Sequence, residues 1–135
     1  IVCIIPSSSP NLRNLALKKE DLLIDQHYKK YLEAFAENLF VGVSNFSKDG
    51  YDSASALACN IAKKNNIKAV AINDVLFLEK EDHLAHQAKV AINNATLLKD
   101  EIDNPNVSSE QYFKTEEELA KFHELEPLKN TFEVA

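Results

Sequence analysis

The sequence predicts an α/β fold built on three parallel strands. Short apolar runs, rich in β-branched residues, lie at residues 1–5, 39–43 and 68–72. Helical periodicity fills both intervals between these runs, so each connection is long enough for a crossover between parallel strands. The runs are apolar on both faces, as expected for parallel strands that helices cover. The predicted order is therefore strand, helix, strand, helix, strand.

Each predicted crossover helix has one apolar stripe, which should face the sheet. The first helix is predicted over residues 20–37 and the second over residues 51–65. The stripe residues of the first helix are Ile24, Tyr28, Tyr31 and Phe35. Those of the second helix are Ala54, Leu57, Ala58 and Ile61.

The second half of the chain is predicted to be helical after the third strand. A helix over residues 79–94 should bury Leu84, Ala88 and Ala91, and a polar loop should cover residues 100–109. Thr115 and Glu118 have the spacing of a capping box, in which each residue bonds the backbone of the other. Pro127 suits the first turn of a last helix, whose apolar stripe is predicted to be Leu128, Phe132 and Ala135.

Composition excludes several classes of protein. The chain has 135 residues, enough for one domain with a core, and a formal net charge of −6. This charge argues against direct binding of nucleic acid, which requires clustered lysine and arginine. Cys3 and Cys59 lack the paired spacing of a zinc site and are predicted to be core residues in a reducing compartment. No apolar run approaches the roughly 20 residues that span a bilayer.

Asp74 is the candidate for chemistry, because it lies near the carboxyl end of the third strand, where α/β folds build their sites. It could serve as a metal ligand, a general base or a phospho-acceptor, or it could only cap the following turn. In a continuing strand, Ile72, Asp74, Leu76 and Leu78 would point to one side. Leu76 cannot coordinate a metal, so Asp74 lacks a local partner for one.

The other polar candidates favour structural roles. His83 and His86 lie three residues apart without the glutamate of a helical zinc motif, so one should be exposed and the other hydrogen-bonded. His27 and His123 are predicted to lie on the surface. The serines of "PSSSP" are expected to form a turn, because they lack the glycine-rich elbow of a nucleophile. With only Gly42 and Gly50 in the chain, no glycine loop for phosphate is present.

The order of "VAINDVLFL", "DHLAH", "QYFKTEEEL" and "PLKNTFEVA" resembles the PHP domain of the bacterial DNA polymerase III alpha subunit. That family has V-A-T-N-D-x-H/R-[FY] at a strand end, then D-x-x-A-H, Q-Y-[LM]-[KR]-[ST]-x-E-E-M and A-L-x-N-T-x-E-I-A. The resemblance is collinear over nearly the whole chain and looser in the first thirty residues. Since the chain also contains no methionine, we expect a piece of a longer protein.

The resemblance implies the last part of a distorted (βα)7 barrel. Residues 1–95 would be its C-terminal βα units, and residues 96–135 a helical extension toward the polymerase palm. Metal-bearing relatives use His, Asp, Glu and Cys at the strand ends. Here Leu76 stands at the histidine position, Ser8 at about the cysteine position and Gly42 at the acidic position. Only Asp74 matches, which implies a vestigial site without metal ligands or catalytic residues.

The function implied is that of a catalytically silent scaffold within a polymerase subunit. The nucleotidyl transfer and its Mg²⁺ would belong to the palm of the parent chain, and no cofactor is expected in this segment. Other polymerase subunits, including the proofreading subunit, are the expected partners, with DNA contacted only through the rest of the chain. No membrane association is expected, and the expected location is the cytoplasm.

Two alternatives stay open, and with them the question whether this segment has activity of its own. One is an active, metal-dependent PHP phosphoesterase or 3′–5′ exonuclease domain whose ligands lie mostly outside these residues. The other is an α/β binding module with Asp74 as phospho-acceptor.

Overall fold

The chain divides into two compact units, Ile1–Ile72 with Ala120–Ala135 and Asn73–Leu119. The computed structural model describes residues 1–10, 12, 14, 21–46, 53–103, 105 and 107–135, without the side chains of residues 21–25 and 27. The two units do not test the predicted boundary at residue 95 between the βα units and the helical extension, which stays a prediction. Ile24 and His27 lie outside the described side chains.

The first unit contains a parallel sheet in the order β1-β2-β3. Its strands are β1 (Cys3–Pro6), β2 (Leu39–Ser44) and β3 (Lys68–Ile72). The predicted parallel pairing is confirmed, and β3 begins at Lys68 as predicted. β1 begins two residues later than predicted and reaches Pro6, after which Ser7 N–H still donates to Gly42 O at 2.7 Å.

Two helices supply the core of this unit, α1 (Asp21–Phe35) and α2 (Ser53–Asn65). A short 3-10 turn, Ala36–Asn38, leads from α1 into β2. Leu57, Ala58 and Ile61 of the α2 stripe join one core with the described stripe residues of α1 and alternate residues of β2. Both helices therefore cover the same face of the sheet. Members of this core include Tyr28, Leu39, Val41, Val43, Ala58 and Ile61. Sequential parallel strands with helices on one face are compatible with part of a barrel.

The helix α2 ends in a left-handed residue that turns the chain into β3. Asn66 has φ 54°, a region that asparagine tolerates better than most residues. Asn66 N–H bonds Lys63 O and Ile67 N–H bonds Ala62 O at 2.9 Å, the two bonds of a Schellman motif. Ile67, the residue after the turn, is buried.

The last helix of the first unit, Leu125–Val134, packs against β3. Pro127 lies in its first turn, as predicted, and is buried. Asn130 Nδ2 donates to Ala69 O at 2.7 Å, which fixes the rotation of the helix about its axis. The predicted stripe is wrong at Phe132, which is 74% exposed, because it lies on the side opposite Pro127 and Asn130.

The second unit contains a 3-10 turn (Lys80–Asp82), α3 (His83–Asn94), α4 (Leu98–Asp103) and α5 (Glu116–Leu119). The last helix of the first unit is therefore α6. Ala91 of α3 is buried as predicted, but Leu84 is 55% exposed. The inner face is rotated because Gln87 is buried and its Nε2 donates to Glu101 O at 3.0 Å.

Two further predictions for this unit have different outcomes. The polar loop predicted at residues 100–109 is wrong at its start, since α4 continues to Asp103. Asp100 and Glu101 favour the first turn of a helix electrostatically, and Thr96 Oγ1 bonds Glu101 Oε1 at 3.1 Å. The capping box is confirmed, because Thr115 N–H bonds Glu118 Oε2 and Glu118 N–H bonds Thr115 Oγ.

Candidate functional site

Asp74 follows β3 by two residues and lies in the second unit. The strand ends at Ile72, so the predicted alternation of Asp74 and Leu76 along one strand is wrong. Beyond β3, Asn73 Nδ2 donates to Tyr112 O and Leu76 N–H to Gln111 O, both at 2.8 Å. These bonds take the segment out of strand geometry.

The Asp74 side chain is half-buried, and its carboxylate forms no hydrogen bond or ion pair with any residue that the structure describes. Its backbone carbonyl accepts a bond from Gln111 Nε2 at 3.4 Å. The following turn is capped by other residues, because Glu79 and Asp82 bond each other's backbone. Asp74 therefore does not cap that turn.

Gly42, at the acidic position of the resemblance, has no room for a ligand side chain. A Cβ atom on Gly42 would lie 3.0 Å from Ile72 Cδ1 and 3.1 Å from Ile4 Cγ2. Both isoleucines come from the neighbouring strands, β3 and β1. Apolar side chains thus fill the space beside the centre of β2, and a carboxylate placed there would be driven against them.

A buried network of serine hydroxyls lies at the carboxyl ends of β1 and β2. Ser7 Oγ lies 3.1 Å from both Ser44 Oγ and Ser55 Oγ, and it accepts the Ser44 N–H at 3.1 Å. Ser55, in the first turn of α2, donates its hydroxyl to Ser44 O at 2.5 Å. The three residues, called the serine network below, tie two strands and a helix together.

The hydrogen bonds fix the direction of each hydroxyl in the serine network. Ser55 has used its only proton on Ser44 O, so Ser7 must donate to Ser55 Oγ. Ser44 then donates to Ser7 Oγ, which also accepts the Ser44 N–H. Ser7 thus donates once and accepts twice, and its proton goes to a hydroxyl rather than to a base. A nucleophilic serine requires such a base, so this arrangement is structural.

The sequence predicted a turn at these serines, and Ser7 and Ser8 do form one. It did not predict the serine network, because Ser44 and Ser55 are distant in sequence. The available signal was a small hydroxyl residue at the end of each of the first two strands and at the start of the next helix.

His83 and His86 have their ring contacts within the second unit. His83 Nε2 donates to Val107 O at 2.9 Å, so one of the pair is hydrogen-bonded as predicted. His86 is half-buried rather than exposed, and the rings of both histidines lie 5.7 Å from the Phe77 ring. Among the described residues, no group of three or more His, Cys, Asp or Glu side chains could hold a metal ion.

His123 was predicted to lie on the surface, and this prediction is wrong. The residue is only 7% exposed. It belongs to the turn before α6, where the neighbouring Phe122 is also buried and its carbonyl accepts Asn45 Nδ2 at 2.5 Å. This bond holds the turn against the residue that follows β2.

A charged cluster in the second unit was not predicted from the sequence. Lys114 is buried, its Nζ lies 4.3 Å from the centre of the Tyr112 ring, and it bonds the Glu110 carbonyl. Burial lowers the pKa of Lys114, although Glu110 opposes the shift. The available signal was the close spacing of Glu110, Tyr112 and Lys114 in the sequence.

The hydroxyl of Tyr112 is hydrogen-bonded in this cluster, and its pKa is raised. Its hydroxyl donates to Glu118 Oε1 at 2.8 Å. Burial, together with this bond and the charge of Glu118, raises the pKa of Tyr112 to about 12. The bond to Glu118 links the cluster to α5.

A groove of about 650 Å³ lies between α2, the start of β3 and the start of α6. Cys59 lines it, with Lys63 on one side and Glu124 on another. Burial and the charge of Glu124 raise the pKa of the Cys59 thiol, so the thiol is a weak nucleophile. Cys3 and Cys59 are both free and pack against the core, as predicted.

The known proteins most relevant to this chain are bacterial proteins that share one name, DNA polymerase III subunit alpha. No protein-family model matches the chain. The chain is 31% identical over 121 residues to the DNA polymerase III subunit alpha of Haemophilus influenzae and, equally, of Escherichia coli. Each match covers 88% of this chain and 10% of the relative. The same subunit of Pseudomonas aeruginosa is 28% identical over 137 residues, covering 100% of the chain and 12% of that protein.

The chain spans about a tenth of the length of these relatives. In the part that the structure describes, no helix is both long and apolar enough to cross a membrane. Over nearly its whole length, the chain is similar to a segment of these DNA polymerase III alpha subunits.

Proposed function

We propose that this chain is a segment of a replicative DNA polymerase III alpha subunit and serves there as a metal-free PHP scaffold. The parent subunit would carry out DNA-directed DNA synthesis in the cytoplasm. Its nucleotidyl transfer, with Mg²⁺, would take place in a palm domain outside these residues. The similarity to alpha subunits from three bacteria supports the first part of this proposal.

The packing around Gly42 supports the second part. A PHP metal site needs ligand side chains at the strand ends, and here Ile4 and Ile72 fill the space beside Gly42. Leu76 offers no donor atom to a metal. At these positions of the described chain, only Asp74 offers a donor group to a metal, which supports a scaffold without metal.

The remaining chemistry of the strand ends suits a scaffold. The serine network satisfies its own hydroxyl groups and links β1, β2 and α2 without any charge. Such a network makes the strand ends rigid. A rigid edge of this kind would support contacts with other polymerase subunits, among them the proofreading subunit, while DNA would be contacted only by the rest of the parent chain.

Metal analysis of the full-length subunit tests the proposal. We expect no stoichiometric zinc or manganese bound by the PHP domain, no phosphatase or 3′–5′ exonuclease activity, and normal DNA synthesis in an Asp74→Ala variant. An Asp100→Ala variant, at an exposed acid of α4, is the matched control. Stoichiometric zinc or manganese, with phosphatase activity that Asp74→Ala abolishes, would contradict the scaffold and favour the active phosphoesterase.

A role for Asp74 as phospho-acceptor is the second candidate function. It is favoured by one observation, the carboxylate of Asp74 that no described residue bonds. Incubation of the full-length protein with a small phosphodonor tests it. Acid-labile phosphate on Asp74 would support this function, and its absence would remove it.

A further inference from the structure

The helix α6 packs one face against β3 and has apolar side chains outside that face. Pro127 is buried and Asn130 bonds β3 through Ala69 O. On the other side, Leu125 is 65% exposed and Phe132 is 74% exposed. A helix turns by about 100° per residue, so residues seven apart lie almost above one another. Leu128, which is half-buried, lies beside them.

These three side chains, called the outer stripe, are separated by three and then four residues. Helices that pack on other helices use this spacing, because it follows one side of the helix over two turns. A surface helix of a folded domain normally has a single apolar face. Leu125 and Phe132 therefore form an apolar surface outside the face of α6 that packs against β3.

We propose that the outer stripe binds a helix from the remainder of the same polymerase subunit. This inference rests on the proposed function, since it requires a longer parent chain. The relatives leave about nine tenths of their length outside the match, so further chain is available to cover α6. We take a helix as the occupant, because the spacing of Leu125, Leu128 and Phe132 is that of helix–helix contacts.

The size of the outer stripe favours an occupant from the same polypeptide. A helix of ten residues is only about 15 Å long. A stable interface between separate proteins buries about 800 Å² on each side, which three side chains on such a helix do not supply. A segment of the same chain needs less contact area, because the covalent link gives it a high effective concentration.

The flanking residues also argue against a lipid surface. Lys129 and Glu133 are exposed on the side of α6 that adjoins the outer stripe, and Glu126 is exposed next to Leu125. Charges of both signs at the border are typical of helices that pair with another helix in water. Binding to anionic lipid would instead favour a basic border.

Photocrosslinking in the full-length subunit tests the inference. With p-benzoylphenylalanine in place of Phe132, we expect a cross-link within one polypeptide, to a helical segment outside residues 1–135. The same group in place of Glu126 is the matched control and should give little of this product. A cross-link to a second copy, to another protein or to no protein would overturn the inference.

Thiol reactivity gives a second measurement that does not depend on the photochemistry. In the native full-length subunit, the cysteine of Phe132→Cys should be alkylated at least about tenfold more slowly than that of Glu126→Cys, because reaction must await local opening. Equal rates in the native state would overturn the inference. DNA synthesis by the same preparation tests the proposed function separately, so the two failures can be distinguished.

Discussion

Ile72 Cδ1 lies 3.0 Å from the position that a Cβ atom would take on Gly42. This distance is shorter than nearly all contacts of real Cβ atoms, so the tip of Ile72 must move to admit any side chain. Ile4 Cγ2 limits the same space from the other strand, at 3.1 Å. The centre of β2 is therefore adapted to glycine by its two neighbours.

We expect Gly42→Asp to weaken the sheet rather than to restore a metal site. Overpacking a filled core costs about 1–3 kcal/mol, and burying an unpaired carboxylate adds to this. Peptide-level hydrogen exchange in the full-length subunit should show faster exchange of the β2 amides. Gly42→Ala is the control and should have a smaller effect, since only the isoleucine tips must shift. Stoichiometric zinc with unchanged protection in Gly42→Asp would contradict this prediction.

Removal of one hydroxyl from the serine network should destabilise the strand ends. In Ser7→Ala the buried Ser44 N–H and Ser55 hydroxyl lose their bonds to Ser7 Oγ. An unsatisfied buried group costs about 1–3 kcal/mol, and hydrogen exchange of β1 and β2 measures this loss.

Ser8→Ala is the matched control for the serine network. Ser8 is adjacent and half-buried, and its hydroxyl bonds no described residue, so we expect a change within about 0.5 kcal/mol. DNA synthesis should be unaffected in both variants. A large loss of synthesis with normal exchange in Ser7→Ala would mean that Ser7 has a chemical role.

Ala95→Gly should stabilise the second unit. Ala95 ends α3 in the left-handed region, with φ 53°, and Thr96 N–H closes the Schellman motif on Ala91 O at 3.0 Å. Glycine adopts this conformation without strain, so we expect a gain of up to about 1 kcal/mol. Ala88→Gly, inside the same helix, should lose about as much. Slower exchange of α3 in the first variant and faster exchange in the second would confirm the pair.

The pKa of Tyr112 should fall in Glu118→Gln. Glutamine keeps the capping box with Thr115 but removes the charge that helps to hold the phenolic proton. The difference in tyrosinate absorbance between each protein and its Tyr112→Phe counterpart should show a pKa moving from about 12 toward the ordinary value of 10.0. Glu117→Gln, at the exposed neighbour, is the control and should leave the titration unchanged.

The raised pKa of Tyr112 also makes the stability of the folded chain depend on pH in the alkaline range. Tyr112 is protonated up to about pH 12 in the folded chain but only to about pH 10 in the unfolded chain. Its contribution to stability is therefore fully present below pH 10 and is lost as the pH rises to about 12. Tyr28, whose pKa burial also raises to about 12, acts in the same direction. A chain equally stable at both ends of this range would contradict the assignment.

The sequence predicted the features that depend on local pattern. The start of β3, the inner face of α2 and the capping box at Thr115 all follow from residue spacing over a few turns. Helix rotation was predicted less well, at Leu84 and at Phe132. In both cases a bond to a distant residue fixes the rotation, from Gln87 to Glu101 and from Asn130 to Ala69.

The candidate site shows the same limit. The position of Asp74 after β3 could be read from the apolar run that precedes it. The end of the strand could not, because the bonds from Asn73 and Leu76 to Tyr112 and Gln111 join residues far apart in sequence. The burial of His123 and the serine network likewise depend on which strand ends the fold brings together.

Because the serine network consists of neutral hydroxyl groups, its hydrogen bonds do not depend on the concentration of metal ions or on moderate changes of pH. A cluster of carboxylates and imidazoles holds together only while a divalent cation is supplied and its ligands stay deprotonated. The bonds among Ser7, Ser44 and Ser55 need neither condition. Strand ends held by such hydroxyl groups would keep their structure during zinc starvation and in acidified cells. Strand ends held by a bound metal ion would lose order under the same conditions.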